Sequence, residues 1–175
     1  MSDVRHETSQ VGQVKEALHG VEREYAHGED FPLYGYVGAM AAYGAVVSAL
    51  GIAAKLTRRS VPTPSVWDVA LCAGATHRLS RLLAKDPVTS PLRAPFTRFE
   101  GTQGPAELRE EVRGTGARKT IGEMVTCPFC IGMWISTALS AGLVFAPAVT
   151  RLAAGGLTAL TVSDFLHFAR GRVAG

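Results

Sequence analysis

The chain has 175 residues, which suggests one domain; 47% are apolar and only 19% charged, below the ~25% of ordinary soluble domains. A net charge of +3 gives no electrostatic case for nucleic acid, and three cysteines are too few and too irregular for a secreted disulfide framework. Charge is unevenly placed: residues 1–30 carry seven acids against three bases, so the remainder is net basic.

In that acidic arm, Val4, Val11, Val14, Leu18, Val21 and Tyr25 recur at alternating helical spacings. The pattern predicts an amphipathic helix, interrupted by Gly12 and Gly20. Its stripe suits packing on the protein's own cytoplasmic face, or association with a second copy or another membrane protein through residues 4–25. A signal peptide would be basic where this arm is acidic, so the N-terminus is expected to be retained.

From Phe31 to Ala54 no charge occurs across 24 residues, about 36 Å as a helix. From Met124 to Thr150 the chain is again uncharged. About 20 apolar residues cross the ~30 Å hydrocarbon core of a bilayer, and the frequent Gly and Ala suit closely packed membrane helices. Two weaker segments complete the set. The stretch SVWDVALCAGATHRLSRLLAK follows Pro62 and Pro64, and Ser65 with Asp68 three positions on makes a variant capping box. It can cross only if Asp68 lies in one interface while Arg78, Arg81 and Lys85 snorkel to the other. The stretch LAAGGLTALTVSDFLHFA is apolar as far as Asp164.

The expected fold is therefore all-α: an integral membrane helical bundle of about four transmembrane helices with an amphipathic N-terminal helix. The arm is 1–30 and the membrane domain 31–175, with spans at about 31–54, 66–84, 127–149 and 152–169 and a cytoplasmic loop over 85–123. Lys and Arg number 14 on the side holding the arm, the loop and the tail, against 4 (Lys55, Arg58, Arg59, Arg151) on the other. The positive-inside rule then places both termini in the cytoplasm of a bacterial cell membrane.

The long loop carries Pro and Gly punctuation and nearly cancelling charges, so it reads as a folded cap with one short helix at PAELREEVR. Its GTGARKT resembles a phosphate loop only superficially. Arg118 stands where the second Gly of that motif should be, and no strand is predicted before it, so no nucleotide is expected.

The run THRLSRLLAKDPVTSPLRAPFTRFEG, the GTG with its basic residues, and CPFCIGMW opening an apolar helix together resemble the bacterial membrane family catalogued as domain of unknown function 1360. The similarity covers about residues 66–169 and implies an integral membrane protein, with no activity, cofactor or catalytic residue to carry over.

Cys127 and Cys130 form a C-x-x-C at the cytoplasmic mouth of the third span, with Pro128 suited to a first helical turn. Three chemistries are open to the pair. With His77 and His167 it would complete a tetrahedral zinc site stapling the bundle. As a dithiol it would serve a membrane thiol-disulfide oxidoreductase, although it faces a reducing compartment and Cys72 is the sole other cysteine. As small packing residues, the two would simply start a helix in a non-enzymatic structural or interaction module, which is the preferred reading. Trp67 and Trp134 are expected as interfacial anchors. Arg78, Arg81 and Lys85 share a helical face with His77, either as a site for an anionic lipid headgroup or paired with acids of the loop such as Glu107, Glu110 or Glu111.

Overall fold

The fold is taken from a computed structural model that describes Glu16 and residues 20–174. In chain order it contains α1 (Leu33–Leu56), α2 (Val66–Lys85), a 3₁₀ turn (Pro87–Thr89), α3 (Ser90–Arg93), β1 (Thr97–Gly104), β2 (Glu107–Val112), α4 (Gly116–Thr126), α5 (Pro128–Phe145) and α6 (Pro147–Ala174). Of the arm's stripe, Val4, Val11, Val14 and Leu18 lie outside the described residues; Val21 and Tyr25 sit in a helical stretch over 20–26, both exposed.

Local chemistry sets the helix limits. Ser65 caps α2 through a reciprocal box: its hydroxyl accepts the Asp68 N–H at 3.1 Å and the Asp68 carboxylate accepts the Ser65 N–H at 3.1 Å. Pro128 and Pro147 occupy the first turns of α5 and α6, where a missing N–H costs nothing. The uncharged run that begins at Met124 is not one helix. It breaks at Cys127, whose extended backbone ends α4 and caps α5.

The four long helices make an up-and-down bundle. α2 and α6 run parallel, matched by Asp68 with Arg151, Leu71 with Thr158, Gly74 with Thr161 and Arg78 with Asp164. α5 runs against them, with Gly132 on Thr76 and Ser80 of α2. α1 accompanies α5, with the Tyr43 and Thr137 hydroxyls hydrogen-bonded at 2.9 Å and the Tyr43 ring meeting Trp134 edge-on at 5.3 Å. Gly74 allows the closest approach in the bundle's centre. A Cβ there would stand 2.6 Å from Thr158, whose hydroxyl donates to the Leu71 carbonyl at 2.8 Å.

One expectation is corrected. The fold is mostly helical but not all-α, because PAELREEVR forms a strand and not a helix. β1 and β2 pair antiparallel, with bulges near Gly101 and before Gly104 and a turn in which Ala106 takes φ +57°. Leu108 and Val112 are four apart, a spacing that fits one helical face and also one strand face. Glu110 between them decides for the strand, because it points inward to Arg93. The expected spans are met in part. α1, α5 and residues Pro147–Val173 of α6 are long and apolar enough to cross a membrane, whereas α2, with Asp68, Arg78, Arg81 and Lys85, is not.

Residues 86–126 fold against one end of this bundle. Arg93 is the centre of that cap and is 1% exposed. It donates to Glu110 at 2.5 Å, to the Thr89 hydroxyl at 2.7 Å, and to the carbonyls of Leu83 at 2.8 Å and Asp86 at 3.1 Å. One side chain thus ties the end of α2, the 3₁₀ turn and the hairpin together. Thr97 completes the knot, donating to the Arg93 carbonyl at 3.0 Å and bonded to Glu110 at 3.1 Å.

Candidate functional site at the cap end of the bundle

Two groups of chemistry-bearing side chains gather where the cap meets the bundle. The first lines a cleft of about 580 Å³ between α2, α6 and the hairpin turn. Helical spacing puts His77, Arg78, Arg81 and Lys85 on the side of α2 that faces it. From α6 come Asp164, Phe165 and His167, and Glu107 stands at the start of β2. Arg78 pairs with Asp164 at 2.7 Å and Arg81 pairs with Glu107. His77 stacks on Phe165, centroid to centroid 6.1 Å. Of the three bases expected at a lipid headgroup, two are therefore engaged by acids of this chain. Lys85 has no ion-pair partner among the described residues.

The second group lies where α1, α4 and α5 meet. The Cys127 sulfur accepts the Cys130 N–H at 3.2 Å, and the Cys130 thiol interacts with the same sulfur. The Cys130 thiol interacts electrostatically with Glu123 of α4, and both thiols with the Tyr36 phenol of α1, which donates to Glu123 at 2.6 Å. Sequence reasoning missed Tyr36 and Glu123. Their sole signal was a polar side chain at the border of each apolar run, and 87 positions separate them. All three cysteines are free and partly buried.

The expected zinc ligands fall into these two groups without meeting. Among the described residues no set of three or more His, Cys, Asp and Glu side chains is placed to hold a metal ion. The reason is the 100° turn between neighbouring helical residues. Thr76 and Ser80 face α5, so His77 is rotated toward α6 and away from the cysteine-bearing helix.

GTGARKT also differs from expectation, because a strand does run into it: β2 ends at Val112 and α4 begins at Gly116. The two basic side chains are engaged elsewhere. Arg118 donates to the Pro95 carbonyl at 3.1 Å and 2.5 Å, and Lys119 binds Asp30. Trp134 is not at a helix end but packed on Tyr43, with its buried indole N–H unpartnered among the described residues; Trp67 at the start of α2 is 77% exposed.

At the opposite end of α2, Arg151 donates to both oxygens of Asp68, at 2.7 and 3.2 Å. The α2–α6 pair is thus closed by an ion pair of one polarity at its start and of the reverse polarity near Arg78.

α2 from Leu71, the whole cap, α5, and α6 as far as Arg170 coincide with residues 71–170, which match the family described as a protein of unknown function, DUF1360. The chain belongs to that family. The arm and α1 lie outside the matched region. The chain is also 36% identical over 69 residues to the sporulation protein YjcA of Bacillus subtilis (strain 168), covering 38% of this chain and 58% of that relative. It therefore spans less than two thirds of the relative's length. No solved structure matches.

Proposed function

We propose that this protein is a small multi-pass bacterial membrane protein in which α1, α2, α5 and α6 all cross the bilayer. The cap and both termini lie in the cytoplasm, and the protein acts as a non-enzymatic structural or interaction module. One observation carries the reading: the bundle is packed inside out relative to a soluble protein. Ala75, Ala84 and Ala154 are its most buried apolar residues, whereas Val46, Ile52, Val69, Leu152 and Val162 point outward and are exposed. Small side chains between helices and large apolar ones outside are the arrangement that lipid favours. Water would penalise such a surface, since contiguous apolar patches beyond a few hundred Å² are rare on soluble monomers.

The cap end also carries the excess of Lys and Arg, which supports a cytoplasmic position for it. Its arginines hold the fold: Arg78, Arg81 and Arg93 each meet an acid of this chain. That use supports a structural role for the cap, and an anionic headgroup would have to engage the cleft through Lys85. Residues 4–25 are the segment we assign to self-association or to a membrane partner.

Topology is tested in a cysteine-free background with one cysteine introduced at Ser60 or at Thr102, both exposed. A membrane-impermeant maleimide should label Ser60→Cys on intact cells and Thr102→Cys only after permeabilisation. Equal labelling of both sites, or the reverse order, would overturn the proposed topology. For the partner segment, two differently tagged copies should co-purify with residues 1–30 present and separate without them.

A further inference from the structure

Among the described residues, the ion pairs and interhelical hydroxyl bonds that hold the bundle and cap together are made by residues other than Cys127 and Cys130. The pair nonetheless occupies a built position. Cys127 sits at the break between α4 and α5 with extended backbone, φ −97° and ψ 108°, so its sulfur folds back over the first turn of α5. That turn brings the Cys130 N–H and thiol to the same sulfur. The first-turn N–H groups and the helix dipole favour negative charge at this point. Phe129, between the two cysteines, points outward at 92% exposure, leaving the sulfurs partly covered and reachable from the cap end.

The donor set selects the ligand. With no third His, Cys, Asp or Glu among the described residues placed to help, a tetrahedral zinc site or an oxygen-rich hard-cation site is incomplete. Two sulfurs in contact are sufficient for a soft monovalent ion that accepts two-coordinate thiolate binding. Among biological ions that describes Cu(I), the ion for which thiolate and thioether ligands select. The sequence around the pair is also rich in sulfur. Met124, on α4, stands three residues before Cys127, and Met133, on α5, three after Cys130. Two of the chain's 4 methionines therefore flank its one C-x-x-C.

We propose that Cys127 and Cys130 form a two-thiolate Cu(I) site at the cap end of α5. Binding displaces the two thiol protons to solvent and leaves an anionic bis-thiolate complex, with copper and sulfur unchanged in oxidation state. The helix N-terminus stabilises the added negative charge. The Tyr36 hydroxyl, by donating to Glu123, moderates the carboxylate that faces it. The site does not depend on the membrane topology proposed above, because all its donors lie on one stretch of chain.

The test uses the full chain, purified in detergent, reduced and kept anaerobic, and titrated with Cu(I) against a chromogenic Cu(I) chelator. The wild type and Cys72→Ser should withdraw about one Cu(I) per chain from the chelator, with excess zinc failing to displace it. Cys127→Ser and Cys130→Ser should each weaken binding by more than the ~10–100-fold that an outer-shell loss costs. Cys130→Ser leaves the Cys127 cap in place, and unchanged helix content by circular dichroism checks that the loss is not unfolding. Equal competition by wild type and the Cys127→Ser/Cys130→Ser double variant would overturn the proposal. So would displacement of Cu(I) by zinc.

Discussion

Glu110→Ala isolates what the buried ion pair does for the cap. In the native structure the Arg93 and Glu110 side chains are 1% and 6% exposed. Removing the carboxylate leaves a guanidinium without an anion, still bonded to two carbonyls and the Thr89 hydroxyl. Breaking a buried pair from one side costs about 3–5 kcal/mol, and the three surviving neutral acceptors place this case at the lower end. Since about 1.4 kcal/mol is a factor of ten, roughly 3 kcal/mol raises the open population of the hairpin about a hundredfold. Hydrogen–deuterium exchange on detergent-solubilised protein should show this over residues 97–112, while α5 and α6 keep their protection. Glu110→Gln, which retains an acceptor, should fall between the two. Wild-type exchange rates in Glu110→Ala would refute the reasoning, because the pair would then be an incidental contact and not what closes the cap.

Other consequences concern the helices. Gly74→Val should lower the thermal midpoint of the solubilised protein, since its Cβ would stand 2.6 Å from Thr158, whereas Gly156→Ala, which meets nothing within 4 Å, should leave it unchanged or slightly raised. Arg78→Asp sets two acids face to face and should reduce the yield of monodisperse protein by size exclusion; adding Asp164→Arg should restore it. Ser65→Ala removes the hydroxyl from the capping box of α2 and should cost about 1 kcal/mol, read as a lower unfolding midpoint.

The long elements were legible because lipid-length apolar runs and proline punctuation act locally. Ser65 and Asp68 were read as a capping box, and the box is present with both bonds. Of the α2 bases, Arg81 pairs with Glu107, one of the loop acids expected as partners, whereas Arg78 pairs with Asp164 of α6. What could not be read were choices made by distant partners. Leu108 and Val112 satisfy both periodicities, and only the position of Arg93, 17 residues from Glu110, selects the strand. The proposed grouping of His77 and His167 with Cys127 and Cys130 treated one end of the bundle as one place. Two residues at the same level on neighbouring helices meet only if their helical phases agree, and those of His77 and the thiols do not.

The same consideration of phase bears on α2, the helix whose crossing is least obvious from composition. Its 20 residues make about 30 Å, matching the hydrocarbon thickness, but charge occurs at Asp68 and again from Arg78. A charge is costly in lipid when it faces lipid; facing a complementary charge on a packed helix, it becomes part of the interface. α6 supplies that face. Parallel packing fixes Asp68 at the level of Arg151 and Arg78 at the level of Asp164, with Thr158 and Thr161 bonding to α2 carbonyls between them. α6 has 28 residues, about 42 Å, so it can cross and still project beyond the hydrocarbon. If α6 crosses, the ladder of contacts carries α2 across at the same depth. The two reversed ion pairs then mark the ends of a shared polar seam. On this view α2 would owe its place to its partner and not to its own hydropathy, and the four-span proposal rests on that packing.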